Sequence, residues 1–80
     1  LKVKVLNIRF GKHLRTFREE HGWTQQDLAD KLSMERTALS RIETGKSGVL
    51  LSTLLNWALV LGVEPQDMTP GTAFLKDCEL

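Results

Sequence analysis

Residues 24–45 read TQQDLADKLSMERTALSRIETG, and their punctuation decides the fold. Thr24 stands three residues before Asp27 and just ahead of the apolar set Leu28, Ala29 and Leu32. That is a capping box with aspartate in the usual glutamate place, and it starts a short helix. A second helix, from Glu35 to Glu43, turns Ala38, Leu39 and Ile42 inward and leaves Arg36, Thr37, Ser40 and Arg41 on other faces; Gly45 stops it. Only Ser33-Met34-Glu35 joins the two. So short a joint fits the sharply angled pair of a helix-turn-helix.

Upstream, Phe10, Leu14 and Phe17 recur at helical spacing while Lys12, Arg15, Arg18, Glu19 and Glu20 occupy other faces. This predicts an amphipathic helix from Asn7 to His21, capped by Asn7 and ended by Gly22. Trp23, one place before the Thr24 cap, is placed to staple against Leu28. Downstream, a helix from Leu51 or Ser52 to Leu61 turns Leu51, Leu54, Leu55, Ala58 and Leu61 inward, with Trp57 flanking and Gly62 closing it. Val63 to Met68 allows a fifth short turn or helix, with Val63 and Met68 returning to the core. The fold class expected is all-α, a compact bundle of four to five short helices. Residues 1–7 are expected to be an N-terminal arm, where Lys2-Val3-Lys4-Val5 hints at no more than a strand, residues 8–68 the domain, and residues 69–80 a C-terminal extension.

Composition bounds the function. Eighty residues make one small domain. The net charge of +1 hides an uneven distribution: Lys2, Lys4, Arg9, Lys12, Arg15 and Arg18 meet no acid in residues 1–18, while Glu64, Asp67, Asp77 and Glu79 outnumber Lys76 at the far end. One end can therefore face a polyanion. No run approaches the roughly 18 apolar residues of a membrane span, and the first residues do not read as a signal peptide. The one cysteine, Cys78, can make no internal disulfide, which fits a cytoplasmic protein. His13 and His21 lack partners at metal-ligand spacing, Gly45-Lys46-Ser47 lacks the pattern of a phosphate loop, and nothing pairs Glu19 or Glu20 across a cavity. No cofactor, metal or catalytic residue is expected, and the chain does not read as an enzyme.

The run from Phe10 to Gln25, followed by Leu28-Ala29, Leu39-Ser40-Arg41-Ile42-Glu43, Gly45, Thr53 to Ala58 and Leu61-Gly62-Val63, closely resembles the phage repressor and Cro type of helix-turn-helix, the XRE family. The resemblance covers roughly residues 8 to 68. It implies a lambda-repressor-like bundle, commonly dimeric on a palindromic operator, whose third helix reads the major groove. By that resemblance, Arg36, Thr37, Ser40 and Arg41 contact bases, Gln25, Lys46 and Arg15 contact phosphates, Gln25 also braces the recognition helix, and Arg18 and Glu43 form a buried pair tying helix one to helix three. Ala29 matches a small residue where helices approach closely.

Four residues depart from the family pattern, at three places. Glu35 stands where a small polar residue usually caps helix three, and its charge repels a phosphate backbone. Val49 and Leu50 replace the usual proline and cap before helix four. Leu59 falls where the family presents a charge. Together Val49, Leu50 and Leu59, with Phe74 and Leu75 of the tail, are expected to form an apolar patch for a second copy of the chain or for another protein. The function expected is that of a sequence-specific repressor acting as a homodimer on double-stranded DNA. The alternatives are a DNA-binding antitoxin that also binds a toxin, and an interaction module that no longer binds DNA.

Overall fold

The computed structural model describes residues 2–69. Four α-helices and one 3-10 turn follow in order: α1 Val3–Glu20, α2 Gln25–Lys31, α3 Arg36–Glu43 and α4 Leu51–Leu61, then Pro65–Asp67. They close around Leu14, Phe17, Leu28, Ala29, Leu32, Leu39, Ile42, Trp57, Ala58 and Met68. This is the expected all-α bundle containing a helix-turn-helix.

α1 starts earlier than its sequence suggests. It begins at Val3, with Lys2 as an N-cap that makes no side-chain cap bond, so Asn7 lies inside the helix and residues 3–7 form neither arm nor strand. Packing explains the difference. Ile8 lies against Gly45, whose positive φ of 79° and lack of a Cβ both suit the turn after α3. Asn7 lies against Gly48, and Leu6 and Phe10 share a small hollow with Val49 and Leu54. These contacts hold extra turns of helix where no proline or glycine breaks them.

α2 has the capping box in full. The Thr24 hydroxyl accepts from the Asp27 N–H at 3.0 Å, and the Thr24 N–H donates to Asp27 Oδ2 at 2.9 Å. The Asp27 carboxyl is held below its ordinary value chiefly by the bond from the Thr24 backbone, then by the Thr24 hydroxyl. α2 ends on Ser33, whose φ of 55° lies in the left-handed region, while the Met34 N–H closes back on Ala29 O at 2.9 Å. A side chain in that region costs roughly 1–2 kcal/mol.

Two helix faces differ from the sequence reading. Ala38 is exposed, because Leu39 and Ile42 centre the inward arc of α3 and Ala38 lies beyond its edge. In α4, Trp57 and Ala58 are the buried residues, while Leu51 and Leu55 are 71% and 44% exposed. The large indole captures the core side, and the arc containing Leu51 and Leu55 rotates outward.

Gly11 sets the closest approach. A Cβ there would press into the carbonyl oxygen of Ile42 and lie 2.7 Å from that of Glu43, so α1 meets α3 backbone to backbone. Gly11→Ala should therefore cost about 1–3 kcal/mol, lowering Tm by roughly 5–20 °C in a thermal melt followed by circular dichroism. Ser33→Gly should move Tm the other way, by a few degrees, because relief of the left-handed strain exceeds about 0.5–1 kcal/mol of added chain entropy.

Candidate nucleic-acid interface

α3 presents two unlike sides. Leu39, Ile42 and Glu43 are buried, and Arg36, Thr37, Ser40 and Arg41 lie on the remaining arc, with Arg36 at its edge two turns before Glu43. Arg36, Thr37 and Arg41 are exposed and Ser40 is half-buried. Neither arginine makes an ion pair or side-chain hydrogen bond to a described residue. α3 ends in a tight C-terminal motif: Gly45 N–H donates to Ile42 O and Lys46 N–H to Arg41 O at 2.8 Å. That turn sets Lys46, exposed, just beyond the same helix.

The inner side is fixed by a polar network. Arg18, 8% exposed, donates from Nε to Glu43 Oε2 at 2.8 Å and from Nη2 to Glu43 Oε1 at 3.1 Å. Its Nη1 donates to the Trp23 carbonyl at 2.8 Å. The hydrogen bond with Glu43 raises the Arg18 pKa above its already high ordinary value, with burial opposing. Gln25, half-buried at the first position of α2, donates from Nε2 to Glu43 Oε1 at 3.1 Å. Glu43 is thus grasped by α1 and by the start of α2 together. The resemblance implies both the Arg18 and Glu43 pair and a bracing role for Gln25 on the recognition helix; it does not name Glu43 as the residue that Gln25 holds. Glu43 accordingly fixes α3 against both other helices.

The remaining sequence candidates fall in different places. Arg15 is exposed and paired with Glu19 at 3.6 Å on the outer side of α1. Val49 is half-buried against the core and lines the hollow with Leu6 and Phe10, so it does not belong to an exposed patch. Leu50 and Leu59 are 75% and 81% exposed. With Leu51 and Leu55 they leave an apolar stripe along α4, which borders a groove of about 450 Å³ lined by Leu55, Ala58, Leu59, Gly62, Val63, Glu64 and Pro65. Phe74, Leu75 and Cys78 lie outside the described residues. Trp23 is taken up in packing, stacked with His21 at 4.6 Å between centroids, edge-on to Phe17 at 6.1 Å and under Lys31 Nζ at 4.8 Å. Gly11, not singled out among the candidate residues, had a signal of its own: a lone glycine inside a helical pattern marks close packing.

A family model described as helix-turn-helix matches residues 14–68. The chain belongs to the XRE family. Among its relatives is an SPbeta prophage-derived, uncharacterized HTH-type transcriptional regulator, YonR, from Bacillus subtilis, 35% identical over 63 residues that cover 79% of this chain and 58% of that one. The chain spans about half the length of the first curated relatives it matches. Among solved structures, the restriction-modification controller protein C.AhdI from Aeromonas hydrophila superposes with a TM-score of 0.68 at 31% identity, covering 76% of this chain and 92% of that one. The hypothetical transcription factor NHTF from Neisseria gives 0.72 at 28% identity, covering 95% and 88%. The XRE family comprises DNA-binding regulators of transcription, and this chain is such a DNA-binding domain rather than an enzyme. Among the described residues, no helix is long and apolar enough to cross a membrane and no three His, Cys, Asp or Glu side chains gather as metal ligands.

Arg18→Ala strands the Glu43 carboxylate in the interior and should cost about 3–5 kcal/mol, enough to leave much of the chain unfolded near room temperature. Arg18→Met combined with Glu43→Leu removes both charges and should recover a cooperative thermal melt close to that of the unaltered chain. An Arg18→Ala variant with an unaltered Tm would show that the pair contributes nothing.

Proposed function

We propose that the chain reads the operator for a transcriptional repressor that binds a palindromic site as a homodimer. The observation that carries this is α3 itself, where Arg36 and Arg41 stand exposed without partners among the described residues on a helix whose inner side is fixed to α1 and α2. Residues 8–68 form the DNA-reading unit. A free guanidinium pairs bidentately with guanine O6 and N7, worth roughly 1–3 kcal/mol of discrimination, and Thr37 and Ser40 offer a hydroxyl to a base or phosphate. Gln25 and Lys46 take the phosphates that set register, Gln25 through the amide N–H not committed to Glu43. Arg15, tied to Glu19, adds charge at the edge of that surface.

The α4 stripe supplies the second half. Leu51, Leu55 and Leu59 follow one another at four-residue spacing, so one helix face carries an unbroken apolar row into solvent. A second copy laid on this row buries it by symmetry and presents two α3 helices to successive major grooves, roughly 34 Å apart. A dimer seated there excludes polymerase by occupancy, in the cytoplasm where the chromosome lies.

Selection from a random duplex library at about 50 and 200 mM salt tests the reading. The expected result is an enriched palindrome bound more weakly at the higher salt. The Arg36→Ala, Arg41→Ala double variant should keep the thermal melt of the unaltered chain and lose enrichment. A folded chain that enriches no sequence would replace this reading with that of a protein-interaction module, and an enriched site without twofold symmetry would remove the dimer.

A further inference from the structure

Among the acids of the helix-turn-helix, three are engaged within the chain. Asp27 completes the capping box, Asp30 accepts from Gln26 at 2.8 Å, and Glu43 holds Arg18. Glu35 is not engaged. It occupies the N-cap of α3 with φ −77° and ψ 143°, makes no side-chain cap bond, and is exposed, with no hydrogen bond or ion pair from its carboxylate to a described residue. Its neighbour Arg36 is equally uncommitted, so a free anion and a free cation stand side by side where α3 begins. On a surface that meets phosphates, an uncompensated carboxylate lowers affinity.

The major-groove edge of a G·C pair complements that arrangement. Guanine presents two acceptors, N7 and O6, and its paired cytosine presents one donor, the N4 amine. An arginine satisfies the first two and a carboxylate the third. An A·T pair in the same orientation offers no such match, because a carboxylate over thymine faces the O4 acceptor and the methyl group; a T·A pair offers the carboxylate the adenine N6 donor but denies the arginine its two acceptors.

We propose that Glu35 is a specificity-determining residue that accepts a hydrogen bond from cytosine N4 in each half-site, within or next to the base pair whose guanine Arg36 reads. This rests on the reading of α3 as the recognition helix. The carboxylate then trades affinity for discrimination, since over guanine or thymine, which present no donor in the major groove, it is left desolvated against the negative field of the duplex.

The test compares the unaltered chain with Glu35→Ala, first by random-duplex selection and then by measuring affinity for the selected site and for single-pair replacements of it. Because the Glu35 side chain holds no described residue, both proteins should melt alike. At one column of each half-site the penalty for replacing G·C with A·T should be roughly tenfold larger for the unaltered chain than for Glu35→Ala. Glu35→Ala should also bind non-selected DNA more tightly. Equal penalties at every column, with a uniform gain in affinity, would overturn the assignment and leave Glu35 as simple repulsion. If the unaltered chain enriches no sequence, the recognition reading itself falls and this assignment falls with it.

Discussion

The guanidinium of Arg18 is the point on which the rest of the structure hangs. It reaches from α1 to the Glu43 carboxylate of α3 and to the Trp23 carbonyl just before α2, while Gln25 of α2 donates to the same carboxylate. Three elements are thereby fixed by directional bonds rather than by apolar packing alone. Such a network adds little net stability, because desolvation offsets its attraction. What it supplies is orientation: it fixes the angle of α3 relative to α1 and the start of α2.

That directional constraint works at short range because the backbones are close. Gly11 lets α1 lie directly on the end of α3, and Arg18, two turns further along α1, then reaches Glu43 with good geometry. The close approach and the ion pair are two parts of one joint. The joint also leaves no buried side-chain nitrogen or oxygen without a partner among the described residues.

Much of this was legible in the sequence, and the exceptions have physical causes. The Thr24 capping box, the Gly45 stop and the Leu39 and Ile42 face are local signals, and each appears as read. Asn7 misled because a good cap residue also serves inside a helix when tertiary contact favours it, here against Gly48. Leu51 and Leu55 misled because an α4 that is apolar on most sides carries no periodic signal to say which arc faces the core, and the size of Trp57 decides it. Ala38 misled because a small apolar residue is compatible with either environment. Of the candidate interface, α3 was readable from spacing, whereas the bond from Gln25 to Glu43 joins residues on different helices and only the fold brings them together.

Ala38 has one more consequence. It stands exposed beside Thr37 on α3, with no side chain beyond its methyl group, just past the edge of the buried arc of Leu39, Ile42 and Glu43 in which the stability of that helix resides. Exposed positions of this kind accept substitution within about 0.5 kcal/mol. The chain therefore separates the residues that selection must preserve from those it is free to rewrite. A lineage can explore new side chains at 36, 37, 38 and 41 one at a time without crossing an unfolded intermediate, and a scaffold so divided is suited to divergence.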